Sequence, residues 1–559
     1  MKYSRIFSIG LMITGLFVVI AGLWWSSSAA LANDNTPIQQ ATDPAAAENR
    51  DASPSTADHT QFEELQQEFA TGPEVTAACL QCHTEAASQM MATTHWTWEF
   101  TDPQSGAELG KNNVINNYCV AVSSNEPRCT SCHVGYGYTD NTFDFTVQQN
   151  VDCLVCHDTT GKYKKFPAGA GHPVYGEPRE FPPGSGKIWE APDLTMIAQN
   201  VGKTSRDTCG ACHFNGGGGN GVKHGDLDQS LKSPSYELDV HMDASGLNFD
   251  CATCHAPEAH AIPGSRYQVN AKDEKGIDIP GNADGPATCE SCHGLEPHPD
   301  DAQLNHHVES IACQTCHIPS YARGEYPTKM WWDWSTAGLK NEDGKPYATK
   351  DDNGWTDYDS KKGDFIWEKD VQPEYYWFNG DVEYQNLTPF EDGTEVAPIN
   401  IINGGPGEPG SRIWPFKVFR GIQPYDSVNN TFVVPHLFGK DENAYWKAWD
   451  WDKAIASGME SYGADYSGEF EWIETEMYWP VTHMVAPATE SLDCNACHTR
   501  EKGILHDVEG IYIPGLSQTR GIDTFGWGLS LLALVGVVIH GSARVINQNK
   551  NGNGKKKGK

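Results

Sequence analysis

The pattern Cys-x-x-Cys-His occurs eight times in this chain of 559 residues. The spacing is typical of covalent haem attachment, in which two thiols bond to the porphyrin and the following imidazole coordinates the iron. Zinc binding would leave the histidines unexplained, and a disulfide framework would not require them. We therefore predict eight c-type haems, attached through Cys79 and Cys82, Cys129 and Cys132, Cys153 and Cys156, Cys209 and Cys212, Cys251 and Cys254, Cys289 and Cys292, Cys313 and Cys316, and Cys494 and Cys497, with His83, His133, His157, His213, His255, His293, His317 and His498 as the proximal iron ligands.

A haem that only transfers electrons has a second axial ligand, and thirteen of the 21 histidines lie outside the motifs. His59 falls in a polar segment and His540 in an apolar one, which leaves eleven for at most eight irons. The sequence does not pair a histidine with its iron, and it does not reveal which iron has the open face that catalysis requires. Seven histidines in haem-rich surroundings are the predicted distal ligands, with four others in reserve: His95, His224, His241, His260, His298, His307 and His483, then His172, His306, His436 and His506.

The motifs are too dense for an ordinary core of packed side chains. Seven of them lie between Cys79 and His317, so we expect the porphyrins to supply much of the apolar interior. Gly and Pro are frequent, at 55 and 33 residues, as expected for loops that wrap flat cofactors. The predicted fold class is mainly α with extensive irregular loops and little sheet: a multihaem cytochrome c fold organised around stacked haems, over residues 70–515.

Residues 318–493 contain no haem motif but hold twelve of the 18 tryptophans. An aromatic electron relay is one interpretation, and a conventional core that also covers haem edges is the one we favour. The pattern of apolar residues predicts helices over Ala444–Gly458 and Phe470–Met477. The eighth motif then returns the chain to the haems.

The N-terminus has the composition of an export signal. A basic start is followed by an apolar run from Ile6 to Trp25 and by Ala30-Leu31-Ala32, a small-residue cleavage pattern. Residues 1–32 are therefore predicted to be a signal peptide, with an uncleaved anchor as the alternative because the apolar run is long. Residues 33–69 are predicted to be a disordered linker, since this segment begins with a stretch rich in Ala, Asp, Pro, Ser and Thr.

A second apolar stretch, residues 524–546, is long enough to cross a bilayer as a transmembrane helix. A basic tail follows at residues 547–559, and the positive-inside rule places that tail in the cytoplasm. The haem domain is then predicted to lie at the periplasmic face of the bacterial inner membrane, anchored by its C-terminal helix. The net charge of −34 disfavours nucleic acid as a partner.

Several longer segments resemble the octahaem tetrathionate reductase family, over residues 75–515. They are Asn116-Asn117-Tyr118-Cys119, Glu126-Pro127-Arg128, the third motif extended to Gly161, the fourth extended to Gly219, Pro327-Thr328-Lys329-Met330 and Trp332-Asp333-Trp334-Ser335-Thr336. That family is similar in haem arrangement to pentahaem nitrite reductase and octahaem hydroxylamine oxidoreductase. The resemblance implies a mostly helical and irregular fold built around stacked haems. The membrane helix departs from the soluble family pattern and predicts docking to a quinol-oxidising cytochrome b subunit or another redox protein.

The resemblance also implies where the chemistry takes place. The family's active-site haem is held by the second motif and has a lysine amine as its proximal ligand, with an open face near a cysteine. Cys119 is the matching cysteine, and Lys203 is the lysine that we predict, with Lys165, Lys187 and Lys223 as alternatives. An amine coordinates iron only when it is unprotonated, so this lysine must be buried with a lowered pKa.

Cys119 is the single cysteine outside the motifs, and an unpaired thiol is unusual in an oxidising compartment. One role for it is packing as a small hydrophobic side chain, and another is exchange with the sulfur–sulfur bond of tetrathionate. Arg128 and Arg206 are predicted cations for an anionic substrate, with surface ion pairing as the alternative.

The leading interpretation is an enzyme that reduces a small inorganic substrate, namely tetrathionate, nitrite or hydroxylamine, with electrons that arrive through bis-histidine haems. One alternative is a non-catalytic electron conduit in which every iron is saturated. Another is an oxidase of hydroxylamine, which in related proteins carries a tyrosine crosslink. Tyr118 and Tyr321 are present, but no sequence feature marks either of them for that role.

Overall fold

The computed structural model describes residues 55–103, 105–117, 120–277, 287–391, 393–499, 503–514 and 520–554. The predicted signal peptide lies outside the described residues, and so does most of the predicted linker. The described end of that linker is ordered, because two short 3₁₀ helices form at His59–Gln61 and Glu63–Leu65, and Leu65 is buried. Asp58 begins the first of them by accepting a hydrogen bond from the backbone amide of Thr60.

Each haem motif lies on or at the end of a helical turn. A turn brings residues three apart onto one side of the chain, which places the two cysteines of a motif together. The helices of this kind are short: Gly72–Cys79, Glu126–Cys129 continued by the 3₁₀ turn Thr130–Cys132, Leu154–His157, Arg206–His213, Cys251–Cys254, Glu290–His293, Cys313–His317 and Cys494–Cys497.

The remaining elements around the motifs are equally short, and irregular chain joins them. The helices are Ala86–Met91, Thr94–Thr97, Leu194–Ala198 and Ala302–His307, with 3₁₀ turns at Gln148–Asn150, Gln229–Lys232, Trp334–Thr336 and Ala488–Glu490. Two-stranded ladders pair Phe100–Thr101 with Glu108–Leu109, Arg179–Glu180 with Ile188–Trp189, and Val382–Tyr384 with Asn400–Ile402.

The motif-free segment folds as a sheet of nine strands, so the prediction of a mainly α chain with little sheet is wrong there. Its central strand, Arg412–Asp426, is almost continuously buried and rich in aromatic and β-branched residues, the composition that favours strands. Along the sheet the order is Val396–Pro398, Phe470–Pro480, Arg412–Asp426, Thr328–Asp333, Gly363–Glu368, Thr356–Asp359 and Ala348–Lys350, and the strands Glu374–Phe378 and Thr431–Phe432 also pair with the central one.

One of the two predicted helices in this segment is a strand. Residues 470–480 alternate between buried and more exposed positions, with Ile473, Thr475, Met477 and Trp479 buried. This period of two is that of a strand with one buried face, and it overrides the helical interpretation of residues 470–477. The other predicted helix is present in two pieces, Tyr445–Ala448 and Trp451–Tyr462.

The tryptophans pack the core of the sheet, as the favoured interpretation predicts. Trp332, Trp334 and Trp479 are at most 2% exposed and belong to one large apolar cluster. The same cluster includes Val120 and Val222, which belong to the haem-bearing part of the chain. The sheet therefore fixes the position of those two segments.

A long helix, Arg520–Gly554, ends the described chain. Within the described residues it contains the one span that is long and apolar enough to cross a membrane, Thr524–Gln548. Its apolar side chains are exposed, as Trp527 shows at 78%. These properties are consistent with membrane anchoring.

Candidate functional site

Seven of the eight motif histidines face a histidine from elsewhere in the chain, with ring centroids 6.0 to 6.4 Å apart. Two imidazoles that coordinate one iron, each nitrogen about 2 Å from the metal, place their ring centroids roughly 6 Å apart. The spacing therefore fits bis-histidine haems. The pairs are His83 with His59, His157 with His260, His213 with His95, His255 with His483, His293 with His241, His317 with His298, and His498 with His307.

Backbone carbonyls orient several of these rings. Nδ1 of His157 lies 2.7 Å from the Gly202 oxygen, and Nδ1 of His255 lies 2.9 Å from the Pro263 oxygen. A hydrogen bond from Nδ1 to a carbonyl leaves Nε2 unprotonated, as iron coordination requires. Within the described ranges no three His, Cys, Asp or Glu side chains converge to hold a metal ion.

The structure brings six of the seven predicted distal histidines to a motif histidine, and His224 is the exception. The T-shaped neighbour of the His224 ring is Trp479, at 4.9 Å between centroids. The place of the seventh partner is taken by His59, which the sequence assigns to the linker. The reserve histidines have other partners: His172 contacts Tyr175, His306 contacts Glu309, His436 contacts Ser124 and Asp441, and His506 contacts Asp507.

Contacts between cysteines of different motifs give the spatial order of the motifs. Thiol pairs join the first motif to the third, the fourth to the fifth and the sixth to the seventh, and further cysteine pairs that lie near each other complete a line. The line runs first, third, fourth, fifth, sixth, seventh, eighth, through Cys79–Cys153, Cys156–Cys209, Cys209–Cys251, Cys254–Cys292, Cys289–Cys313 and Cys316–Cys497. The second motif lies beside the fourth, where Cys132 contacts Cys212.

Among the described residues, His133 of the second motif is the motif histidine without a histidine partner. Its side chain is fully buried, and its Nε2 lies 2.6 Å from the backbone oxygen of Trp96. Burial lowers the pKa of His133 to about 3, so the imidazole is neutral. Five aromatic rings surround it at centroid distances of 5.1 to 6.0 Å: Trp96, Trp98, Tyr138, Phe143 and Phe145. Nε2, the nitrogen of His133 that would coordinate iron, is therefore hydrogen-bonded to a backbone oxygen.

Positive charge collects around the second motif of this strongly acidic chain. The contact with the Cys212 thiol and then the charges of Lys111, Lys165 and Arg128 lower the pKa of Cys132 to about 5, against burial, which raises it. A thioether at Cys132 would no longer titrate. Lys111, Lys165 and Arg128 nevertheless lie close enough to Cys132 for their charges to act on it.

The lysines near the second motif differ in what surrounds their amines. Lys165 donates to the backbone oxygen of His133 and forms an ion pair of 3.0 Å with Asp152, and both side chains are buried. These two contacts occupy the amine of Lys165, so it is not available to coordinate iron. Burial lowers the pKa of Lys223 well below its ordinary value, and the charges of Arg266 and Lys111 lower it further. A lowered pKa is the direction that an amine ligand of iron requires.

The prediction of Lys203 as the ligand is not supported by its position. The side chain of Lys203 is exposed, and its neighbour Gly202 accepts the hydrogen bond from His157 of the third motif. Lys187 is also exposed, with its amine 4.6 Å from the ring of Trp189. The sequence contains one usable signal for Lys223, its place between the glycine-rich extension of the fourth motif and His224.

Two side chains, those of Lys223 and Arg266, lie over the indole of Trp479 near the end of its strand. The amine of Lys223 lies 4.8 Å from the ring, and the guanidinium of Arg266 lies 4.1 Å from it. Lys223 is also held through its backbone, because the buried Lys417 donates to the Lys223 oxygen at 3.0 Å. The sheet therefore positions Lys223.

The two predicted substrate arginines have structural contacts. Arg206 donates to the backbone oxygens of Phe249 and Lys232, so it ties the fourth motif to the fifth and does not face the second. Arg128 donates to the Pro167 oxygen at 2.7 Å. Its charge nevertheless acts on Cys132, which leaves Arg128 close to the second motif.

Cys119 and Tyr118 lie outside the described residues. The residues on either side of them are buried: Asn117 accepts a hydrogen bond of 3.0 Å from the indole of Trp334, and Val120 packs into the core of the sheet. Tyr321 is buried beside Met330, with its hydroxyl 3.4 Å from the sulfur.

Comparisons with known proteins match the chain to cytochromes c. A family model described as bacterial cytochrome c matches residues 329–501, and one described as cytochrome c554 and c-prime matches residues 54–158. The crystal structure of octaheme cytochrome c from Shewanella oneidensis is similar to the chain at 42% sequence identity and a TM-score of 0.70. The match covers 83% of this chain and 98% of that one. No curated protein matches the chain.

Proposed function

Because the chain belongs to the octahaem c-type cytochromes, we propose that it is a reductase in which seven bis-histidine haems deliver electrons to a haem on the second motif. That haem would reduce a small inorganic anion, tetrathionate or nitrite, with hydroxylamine as an uncharged alternative substrate. Multihaem electron transfer follows from the family, and the catalytic role is the proposal.

The observation that supports catalysis is the position of His133. Seven motif histidines have a partner at the spacing of an axial pair, and saturated irons of that kind transfer electrons only. His133 has its Nε2 on the Trp96 oxygen instead. The haem at Cys129 and Cys132 must then take a different ligand, and it has no histidine for its second face.

Lys223 is the ligand that we propose for that iron. Burial and the charges of Arg266 and Lys111 lower its pKa well below the ordinary value, which makes it easier to remove the proton before the amine coordinates the metal. Lys165 is excluded by its ion pair with Asp152. This assignment replaces Lys203, which is exposed beside the third motif.

The charges around Cys132 support an anionic substrate. Lys111, Lys165 and Arg128 act on this position in a chain whose net charge is −34. A local cluster of cations in an acidic protein concentrates anions at the cluster and holds them there. Tetrathionate and nitrite carry the charge that such a cluster favours, whereas hydroxylamine does not.

Bound at Cys129 and Cys132, the haem supplies a redox-active iron, and the side chains of this chain supply the surroundings. Lys165 holds the His133 backbone oxygen, and the aromatic rings around His133 exclude water from that side. Lys111 and Arg128 attract the anion. Cys119 remains the proposed thiol for exchange with a sulfur–sulfur bond.

We also propose export and a membrane tether. The cysteine chemistry of c-type haems and the apolar helix Thr524–Gln548 support a domain at the periplasmic face of the inner membrane. A quinol-oxidising membrane protein, such as a cytochrome b subunit, would then be the electron donor.

Steady-state assays of the purified full-length protein with a reduced dye test the enzyme proposal. Lys223→Ala should lower the rate of tetrathionate or nitrite reduction on the order of 100-fold and change the ferric spectrum of one haem, because its iron loses a ligand. Lys203→Ala is the matched control and should change neither quantity.

Two outcomes would count against the proposal. If Lys223→Ala leaves both spectrum and turnover unchanged, the ligand assignment is wrong. If the wild-type protein turns over none of the three substrates and its spectrum does not respond to nitrite or carbon monoxide, all eight irons are saturated and the protein is an electron conduit.

A further inference from the structure

The eighth motif lies at one end of the line of motifs, and the segment that follows it is packed onto it. We call this segment, residues 503–514, the C-terminal clamp. Its Ile504 amide donates to the Ala496 oxygen at 2.9 Å, inside the eighth motif. Leu505 and Ile513 are buried with Cys497 in one apolar cluster. The clamp is therefore fixed to the haem site and not merely adjacent in sequence.

The clamp also contacts the axial histidine of this motif. The backbone oxygen of Pro514 lies 2.9 Å from Nδ1 of His498, whose ring faces His307 at 6.1 Å. This bond fixes the ring with Nε2 available for iron. The last residue of the clamp thus orients a ligand of the eighth haem.

Chain length places this haem near the membrane helix. Pro514 and Arg520, the first residue of that helix, are six residues apart, so their Cα atoms lie within about 21 Å. The apolar span begins four residues later, at Thr524. The other end of the line has no such restriction, because the 34 residues from Trp25 to His59 could extend over about 120 Å even if the N-terminal segment remained as an anchor.

We propose that the haem at Cys494 and Cys497, with His307 and His498 as its axial ligands, is the port through which electrons enter from a quinol-oxidising membrane protein. A quinol loses two electrons and two protons to become a quinone, and the electrons reduce two ferric haems of this chain one after the other. From the eighth motif the line leads through the seventh, sixth and fifth to the fourth, which contacts the second. The port rests on the proposed membrane tether and on the proposed direction of electron flow.

The partner's face is expected to be basic. Asp493, Asp507 and Glu509 are exposed on the eighth motif and the clamp. Complementary charge would orient the partner and make its association weaker at high ionic strength.

A comparison of two ligand variants at opposite ends of the line tests the port. His307→Met changes the distal ligand of the eighth haem and His59→Met that of the first, and methionine raises the potential of a haem that it ligates. Full-length protein in its native membranes is reduced with duroquinol, and the rate is followed by haem absorbance. Mass spectrometry checks that each variant retains eight porphyrins.

His307→Met should slow reduction of the haem chain by quinol about tenfold or more, because electrons are retained at the first haem they reach. His59→Met should slow that rate much less than His307→Met does, because the first haem lies at the far end of the line, and a soluble reduced dye should reduce the two variants at similar rates. Equal slowing of both variants, no slowing of His307→Met, or slowing of His59→Met alone overturns the port, as does a wild-type protein that quinol does not reduce in the membrane.

The readout separates this inference from the enzyme proposal. Reduction of the haems by quinol is measured without substrate, so it does not depend on catalysis at the second motif. A protein that fails to reduce tetrathionate or nitrite with the dye but still depends on His307 for quinol oxidation would keep the port and lose the reductase.

Discussion

Replacement of His133 tests whether the second motif differs from the other seven in where its iron ligand comes from. In every other motif the histidine faces a second histidine, so its removal should cost an iron ligand. His133 is fully buried, with its Nε2 2.6 Å from the Trp96 oxygen. We expect His133→Leu to leave the axial ligands of all eight haems unchanged.

The cost in stability can be worked out from the contacts of the ring. Losing the hydrogen bond leaves the Trp96 oxygen unsatisfied, which costs about 1–3 kcal/mol. The substitution also removes Nδ1, which is buried without a hydrogen-bond partner among the described residues, and so relieves a desolvation penalty of similar size. Leucine is close to histidine in volume, so these two opposing contributions nearly cancel and the free energy of unfolding should change by no more than about 2 kcal/mol in either direction, small enough for the protein to fold.

The matched variant is His213→Leu, in the fourth motif beside it. His213 faces His95 at 6.1 Å, and its loss should convert one low-spin haem to a five-coordinate, high-spin form. Mass spectrometry counts the attached porphyrins, electron paramagnetic resonance counts the high-spin irons, and dye-linked assays measure turnover. If His133→Leu retained eight porphyrins but gained a high-spin iron as His213→Leu does, His133 would be a ligand and the reasoning would be refuted.

Two further predictions concern the contacts that join the sheet to the haem region. Arg412 and Glu290 form an ion pair whose side chains are 4% and 6% exposed, so Arg412→Met should cost about 3–5 kcal/mol in denaturant unfolding. The double variant with Glu290→Gln should recover most of that loss, and no recovery would show that packing rather than charge is responsible. Trp334→Phe should cost about 1–3 kcal/mol because the buried Asn117 oxygen loses its donor, whereas Trp446→Phe, whose bond is exposed, should cost less than the same unfolding assay resolves. Equal losses in the two tryptophan variants would contradict this reasoning.

The haem motifs are predictable because attachment chemistry is encoded in five consecutive residues. The pairing of histidines is not, because each partner lies far away in sequence: His59 is 24 residues before His83, while His483 is 228 residues after His255. Polar composition assigns His59 to a linker, yet a capped turn fixes it. His224 is excluded from pairing only by its packing against Trp479.

The lysine that we propose as an iron ligand also could not be identified from the sequence alone. Lys203 precedes the fourth motif and Lys223 follows its glycine-rich extension, and composition cannot tell a buried amine from an exposed one. Burial and the charges of Arg266 and Lys111 distinguish Lys223. The sheet was missed for a related reason, since residues 470–477 are compatible with both periods until their neighbours are known.

The sheet lies where the proposed second-motif site needs a packed core to keep water from its lysine. A bis-histidine iron needs two rings about 6 Å apart, and short helical turns with irregular loops supply that geometry seven times. A neutral lysine needs more, because the amine must be removed from water or it takes up a proton. Trp479 lies against Lys223, Lys417 holds the Lys223 backbone, and Val222 packs into the core of the sheet. A conventional packed core thus lies against the lysine that we propose as an iron ligand, and Val120, the residue after Cys119, packs into the same core.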